Sequence, residues 1–257
     1  MSKLLPPNFD DLVSDAVKQF WTGRISKAIT SQAGGRGSVI AGKNLDAFAN
    51  LILLVGLYCG IEETDILVGS KAKQVLPGYF RATKEWDAVV VYKNKLVAAF
   101  ELKSQVGPSF GNNLNNRSEE VLGSATDFWT AHRENAFSLS ASDAELEVLA
   151  SETNTKPPFL GFLMLLEECK ASTVKVGVKE PHFRVFPEFI GASYAQRYEI
   201  LLDRIVREKL YSSSCFLLSD RVGGSSNGNF ATPKATLSPR SFFADFAAAL
   251  LSAKEAY

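Results

Sequence analysis

The sequence predicts an α/β fold of the mixed (α+β) kind: a mixed central β-sheet containing an antiparallel hairpin and flanked by helices. Three observations lead there. Trp86 to Lys103 holds two runs rich in valine, alanine and aromatics on either side of Lys93-Asn94-Lys95, the pattern of two antiparallel strands and their turn. Phe159 to Leu166 and Cys215 to Leu218 are apolar runs of the kind that form buried strands. Between such runs apolar residues recur at helical spacing, as in Tyr194 to Leu210 through Ile200, Leu201, Ile205 and Leu210. With 257 residues, 46% hydrophobic and 11% aromatic, a single domain over 1–257 can bury a substantial core.

In chain order, Phe9 to Trp21 sets Phe9, Leu12, Ala16 and Phe20 along one side of a helix. Ser31 to Ser38 is a Gly-rich loop without a P-loop pattern. It is either a plain connection or a segment whose Arg36 folds against a phosphate. Asn44 is an N-cap for an apolar helix through Leu45, Phe48, Leu51, Ile52, Val55 and Leu57, with Gly60 as terminator. Asp46 in its first turn suits the helix dipole, at about 0.3–1 kcal/mol, or serves as a third acidic group near a metal. Ile66 to Val68 is a short strand, and Lys71 to Lys84 is a basic link containing Pro77-Gly78.

Ser104 to Arg117 reads as a Gly-punctuated loop. Its Asn112, Asn113, Asn115, Asn116 and Arg117 offer the donors and acceptors that read adenine and guanine edges. The competing reading is turn chemistry, with Asn116 and Glu119 as the capping box of a helix that continues through Val121, Leu122, Ala125, Phe128 and Trp129. Residues 138–158 look like a peripheral insertion, and Pro181 to Phe189 is irregular and aromatic. Gly223 to Asn229 is expected as a mobile loop. Ser238-Pro239 starts a terminal helix whose Phe242, Phe243, Phe246, Ala249 and Leu250 make one apolar face, for core or dimer contact.

The hairpin also carries the chemistry. Side chains alternate faces along a strand, so a symmetric loop centred on Asn94 pairs residues whose numbers sum to an even value and sets Asp87 opposite Glu101, with Lys103 on the same face. Opposed side chains have Cβ atoms roughly 5 Å apart, close enough for two carboxylates to share a divalent cation. A two-residue loop would shift the register by one and separate them. Both acids stand where apolar runs end, and buried carboxylates need a metal or a partner. An acid followed by Glu-x-Lys on the next strand resembles the PD-(D/E)xK nuclease core, with Trp86 in the place of the proline. Spacing alone equally allows an ion pair on a strand surface.

Composition narrows the partners. Equal numbers of basic and acidic residues, 28 each, argue against coating nucleic acid by bulk charge, whereas a site-specific enzyme needs only local basic surfaces. Arg24, Lys27, Arg36 and Lys43 form one such cluster, and Lys71, Lys73, Arg81 and Lys84 another; a solvated face is the alternative for each. Cys59, Cys169 and Cys215 lack metal or disulfide spacing and read as core thiols. His132 and His182 have no partner at ligand spacing, and no serine or cysteine nucleophile constellation is present. No signal segment is evident, and Leu51 to Cys59, the longest apolar run, is too short to span a bilayer of roughly 30 Å, so a cytoplasmic protein with no membrane partner is expected.

Several blocks together resemble the XhoI family of type II restriction endonucleases: Gly42 to Asp46, Leu76 to Lys84, Trp86-Asp87, Glu101 to Asn113, Asn115 to Arg117, and Pro181 through Gly191-Ala192-Ser193-Tyr194 to Glu199. The resemblance runs from about Phe20 to Leu201 and implies a restriction-endonuclease-like core. It further implies a homodimer that cuts both strands of duplex DNA at the palindrome CTCGAG using Mg2+, leaving 5′-phosphate and 3′-hydroxyl ends, with a companion DNA methyltransferase protecting the host. Carried onto this sequence, Asp87 and Glu101 hold the cation, Asp46 completes the metal site, and Lys103 orients the attacking water. Arg36, Lys43, Lys84, Asn112, Asn113, Asn115, Asn116 and Arg117 are the candidate DNA contacts. The alternatives are a structure-selective or repair nuclease on the same core and a non-catalytic DNA-binding protein.

Overall fold

In the computed structural model, which describes residues 4–31, 45–69, 74–137, 156–180 and 182–257, a five-stranded mixed sheet separates two layers of helices. Its strands lie side by side in the order β1 (Ile66–Val68), β4 (Ala88–Tyr92), β5 (Lys95–Gln105), β6 (Phe159–Glu167) and β7 (Ser213–Ser219). The pairs β1–β4 and β4–β5 are antiparallel, and β5–β6 and β6–β7 are parallel. A separate two-stranded hairpin, β2 (Val75–Pro77) and β3 (Thr83–Glu85), immediately precedes β4.

Alternation along the strands divides the core. Ala88, Val90, Ala98, Phe100 and Leu102 face α1 (Phe9–Ser31), α2 (Asp46–Tyr58) and the terminal helix α7 (Pro239–Ala256). Val89 and Ala99 face the opposite layer, α3 (Phe110–Arg133) and α5 (Tyr194–Arg207). These two helices lie between the parallel strands β5, β6 and β7 in the chain, as parallel pairing requires of a crossover. Two shorter helices, α4 (Lys170–Thr173) and α6 (Arg221–Asn227), also lie among the described residues. No helix among the described residues is long and apolar enough to cross a membrane.

Strands β1, β6 and β7 and helices α5 and α7 lie where the sequence pattern puts them. Ser238 caps α7 by accepting the Ser241 N–H, and Gly60, at φ 77°, follows the end of α2. The phenylalanine face of α7 is core: Phe242, Phe243 and Phe246 are wholly buried. The first helix runs ten residues past Trp21, to Ser31.

Three expectations need correction. The basic link before the hairpin is largely the β2–β3 hairpin. The asparagine-rich stretch is not a loop, because α3 begins at Phe110 and carries Asn112 to Arg117 in its first two turns, so Asn116 is no cap. Phe110, Leu114, Val121, Ala125 and Phe128 are buried at helical intervals. Burying such a Phe or Leu contributes about 1.5–3 kcal/mol each, which outweighs the weak helix preference of each asparagine, at most about 0.7 kcal/mol. The third correction is at Gly223 to Asn229, most of which is helical. Asp220 caps α6 by accepting the N–H groups of Val222 and Gly223. The expected insertion at 138–158 falls, up to residue 155, outside the described residues, as does Asn44.

Candidate active site

The central hairpin reaches the expected pairing by an unexpected route. Its turn is the two-residue Lys93-Asn94, both with positive φ (47° and 62°), and Tyr92 lies opposite Lys95. Continued regularly, that turn would put Asp87 and Glu101 on opposite faces. The register shifts between Val90 and Val91, however: Val91 opposes Leu96 while Val90 opposes Ala98, leaving Val97 as the extra residue of a bulge. Beyond it Val89 opposes Ala99 and Ala88 opposes Phe100, and the Asp87 N–H donates to the Phe100 carbonyl at 3.0 Å. Asp87 therefore stands across from Glu101. Both continue the face of Val89 and Ala99, toward α3.

Around Glu101 the structure assembles two cations and a second acid. The Lys84 Nζ donates to Glu101 Oε2 at 2.7 Å, and Lys103 forms an ion pair with Oε1. Lys84 also sits 4.5 Å from the centre of the Trp86 ring, which packs edge-on against Phe128 of α3. Asp87 Oδ2 accepts the Leu102 N–H at 2.7 Å, and the Asp87 carbonyl accepts from the Gln74 side chain.

Electrostatics separates the two acids. Burial, reinforced by the neighbouring charge of Glu101, pushes the Asp87 carboxyl up to about 6. Burial acts on Glu101 in the same direction, but Lys103 and Lys84 outweigh it and hold that carboxyl below its ordinary value. Lys103 loses charge stability by burial and regains more from Glu101 and Asp87, so its pKa is raised and it stays protonated.

The donor set fits a hard cation. Two carboxylates face one another, one already disfavoured as an anion by the other, and magnesium characteristically uses one or two carboxylates together with substrate phosphate. Among the described residues no group of three His, Cys, Asp or Glu forms, so Asp46, exposed in the first turn of α2, does not stand with Asp87 and Glu101.

The other sequence candidates divide. Lys84, expected as a DNA contact, is mostly buried and pairs with Glu101 in the acid–lysine cluster. Arg117, ion-paired with Glu120, lies close enough to Lys103 for its charge to oppose part of the rise in that lysine's pKa, which brings the start of α3 to the site. Asn112, Asn115 and Asn116 are exposed there and Asn113 is half-buried. Arg36 and Lys43 lie outside the described residues. Sequence reading missed Gln74 and Asp127. Asp127 is a buried acid of α3 that receives the Tyr79 and Phe80 N–H groups and the Arg81 guanidinium. The available signal was Pro77-Gly78 in the middle of the basic link, a pair that marks a chain reversal.

The family model described as restriction endonuclease XhoI matches residues 24–232 of this sequence. The chain belongs to the XhoI restriction endonuclease family. It is 50% identical over 203 residues to the type II restriction enzyme BstVI of Geobacillus stearothermophilus, a match covering 77% of this chain and 83% of that one. It is 40% identical over 232 residues to the type II restriction enzyme XhoI of Xanthomonas vasicola, covering 88% of each. To the type II restriction enzyme AbrI of Azospirillum brasilense it is 38% identical over 182 residues, covering 69% of this chain and 75% of the relative. No solved structure matches the chain. As a member of the XhoI family it is a site-specific deoxyribonuclease, and its mixed sheet between helical layers is consistent with a restriction-endonuclease-like core.

Proposed function

We propose that this enzyme cuts both strands of duplex DNA at the palindrome CTCGAG in a magnesium-dependent hydrolysis that leaves 5′-phosphate and 3′-hydroxyl ends. Asp87 and Glu101 hold the cation, and Lys103 positions the attacking water. The observation that carries this reading is the opposition of Asp87 and Glu101 on one face of the hairpin with Lys103 in contact. The CTCGAG site rests on the resemblance to the XhoI family.

In-line attack on a phosphodiester builds negative charge on the phosphoryl oxygens. Lys103, fully protonated beside Glu101, is suited to stabilise that charge and to orient water by donation rather than to act as a base. When bound, the divalent cation supplies further positive charge and lowers the pKa of water. Asp87, ionised above pH about 6, and Glu101, ionised well below that, both offer carboxylate oxygens at neutral pH. In this reading the exposed asparagines at the start of α3, with Arg117 near Lys103, meet DNA that reaches the hairpin. Arg36 and Lys43 belong to the same proposed contact set.

A palindrome calls for two symmetric readers, so the active species is a homodimer. It acts in the cytoplasm, where a companion methyltransferase shields host sites. Digestion of a defined plasmid with and without Mg2+, followed by sequencing of the ends, tests the whole reading. The expected result is discrete fragments ending within CTCGAG, lost in Glu101→Ala and Lys103→Ala. Cleavage unrelated to that palindrome would instead favour a structure-selective nuclease, and binding without cleavage a non-catalytic protein.

A further inference from the structure

The β2–β3 hairpin carries two exposed aromatics that the core does not use. Phe80 is 68% exposed and Tyr79 55%, their rings set edge to face with centroids 5.0 Å apart. Aromatics left in solvent normally sit on pliable loops, but this tip is clamped. Asp127 Oδ1 accepts the Tyr79 N–H at 2.9 Å and the Phe80 N–H at 2.8 Å, while Oδ2 accepts Arg81 Nε at 2.9 Å. Gly78 makes the clamp possible, because a Cβ there would lie 2.6 Å from the Arg81 carbonyl oxygen and 2.7 Å from the Asp127 carboxylate.

The base of the same hairpin is tied to the catalytic motif. Gln74 donates to the Asp87 carbonyl and accepts the Trp86 N–H at 3.0 Å, and Lys84 of β3 reaches Glu101. Three residues separate Lys84 from Phe80, so the tip stands no more than about 14 Å of extended chain from the lysine that reaches the acid cluster. It is a braced arm rooted in the active site, ending in two aromatic rings and an arginine whose side chain is 45% exposed.

We propose that this tip is a DNA contact: Phe80 and Tyr79 wedge against the bases beside the scissile phosphate, and Arg81 meets the backbone there. The proposal rests on the nuclease reading above. Its occupant is argued from continuity, since the arm is rooted beside Glu101 and its tip lies within reach of a duplex that has one phosphate there. Apolar side chains that enter a groove unstack neighbouring bases, which stack as well on aromatic rings. A rigid tip performs this better than a loose one, because no ordering cost falls on binding.

The test is a duplex containing CTCGAG with 2-aminopurine next to the cut, bound by the full-length protein with Ca2+ replacing Mg2+. Wild-type protein is expected to raise the fluorescence about twofold or more as the base unstacks. Phe80→Ala is expected to lose that rise and to bind about tenfold more weakly, with an unchanged melting temperature because the ring is exposed. Asp127→Asn, which keeps both aromatics but weakens the clamp, is expected to reduce the rise as well.

A Tyr79→Ala/Phe80→Ala protein with wild-type affinity and signal overturns the proposal. So does a variant that falls to monomers while each subunit binds DNA normally, which would make the tip a protein contact. Wild-type protein that binds the duplex without changing the fluorescence overturns the wedge while leaving the nuclease reading intact. Wild-type protein that neither binds nor cuts any duplex overturns both.

Discussion

Asp87 carries an electrostatic cost in the fold. Its carboxyl titrates near 6, above the ordinary carboxylate value of 3.8, because it is buried beside Glu101. Between those values the native protein holds a proton that the unfolded chain has released, so this group's contribution to stability falls as pH rises from about 4 through 6 and stays low above. Asp87→Asn removes the buried charge but keeps an oxygen for the Leu102 N–H. In EDTA at about pH 8 the variant is expected to be about 1–3 kcal/mol more stable than wild type, with the gain fading below about pH 5. Denaturant titrations at both pH values check this, and the same variant is expected to show no cleavage. A variant less stable than wild type at the higher pH would mean that Asp87 is not under electrostatic strain. Glu101 differs because Lys84 and Lys103 already neutralise it. In the proposed mechanism a cation held by Glu101 would compete with those ion pairs, leaving the two ammonium groups available to a phosphate.

At the scale of elements, the hairpin explains why a sequence argument reached the right pairing from a wrong loop. Thirteen residues, 88–100, lie between Asp87 and Glu101. An odd count leaves one residue over, and a three-residue loop or a two-residue turn with one bulge absorbs it equally well. Parity was therefore legible and the turn was not, since a bulge depends on how Val97 packs into the core rather than on local preference. The start of α3 was obscured for a related reason: asparagines signal loops, yet tertiary burial of Phe110 and Leu114 overrides them. The β2–β3 hairpin escaped notice because its three-residue strands are too short to show alternation. The turn offers its own test. Asn94 holds a left-handed conformation and is exposed, roughly 20 Å along β5 from Glu101. Asn94→Ala is expected to cost about 1–2 kcal/mol of stability, and Asn94→Gly far less, with cleavage unchanged in both. Equal stability of the two variants, measured by thermal melting, would contradict the two-residue turn.

For the whole molecule, the sequence pattern supplied most strands and helices but not their division between two layers, which depends on strand order and on the parallel pairing of β5, β6 and β7. That division sets the acid–lysine cluster on the face of α3 and α5, with α1, α2 and α7 forming the opposite layer. Among the described residues each chain holds one such cluster, and each strand of the proposed palindrome presents one equivalent phosphate. Within the proposed homodimer, one subunit is thus expected to cut one strand. Dimers purified through two different tags, one on wild-type chains and one on Glu101→Ala chains, isolate this relation. On a supercoiled plasmid with a single CTCGAG site, the mixed dimer is expected to accumulate open circles, whereas the wild-type dimer gives linear DNA. Linear product from the mixed dimer at the wild-type rate would show that one cluster can serve both strands, and the assignment of one site to one strand would fall.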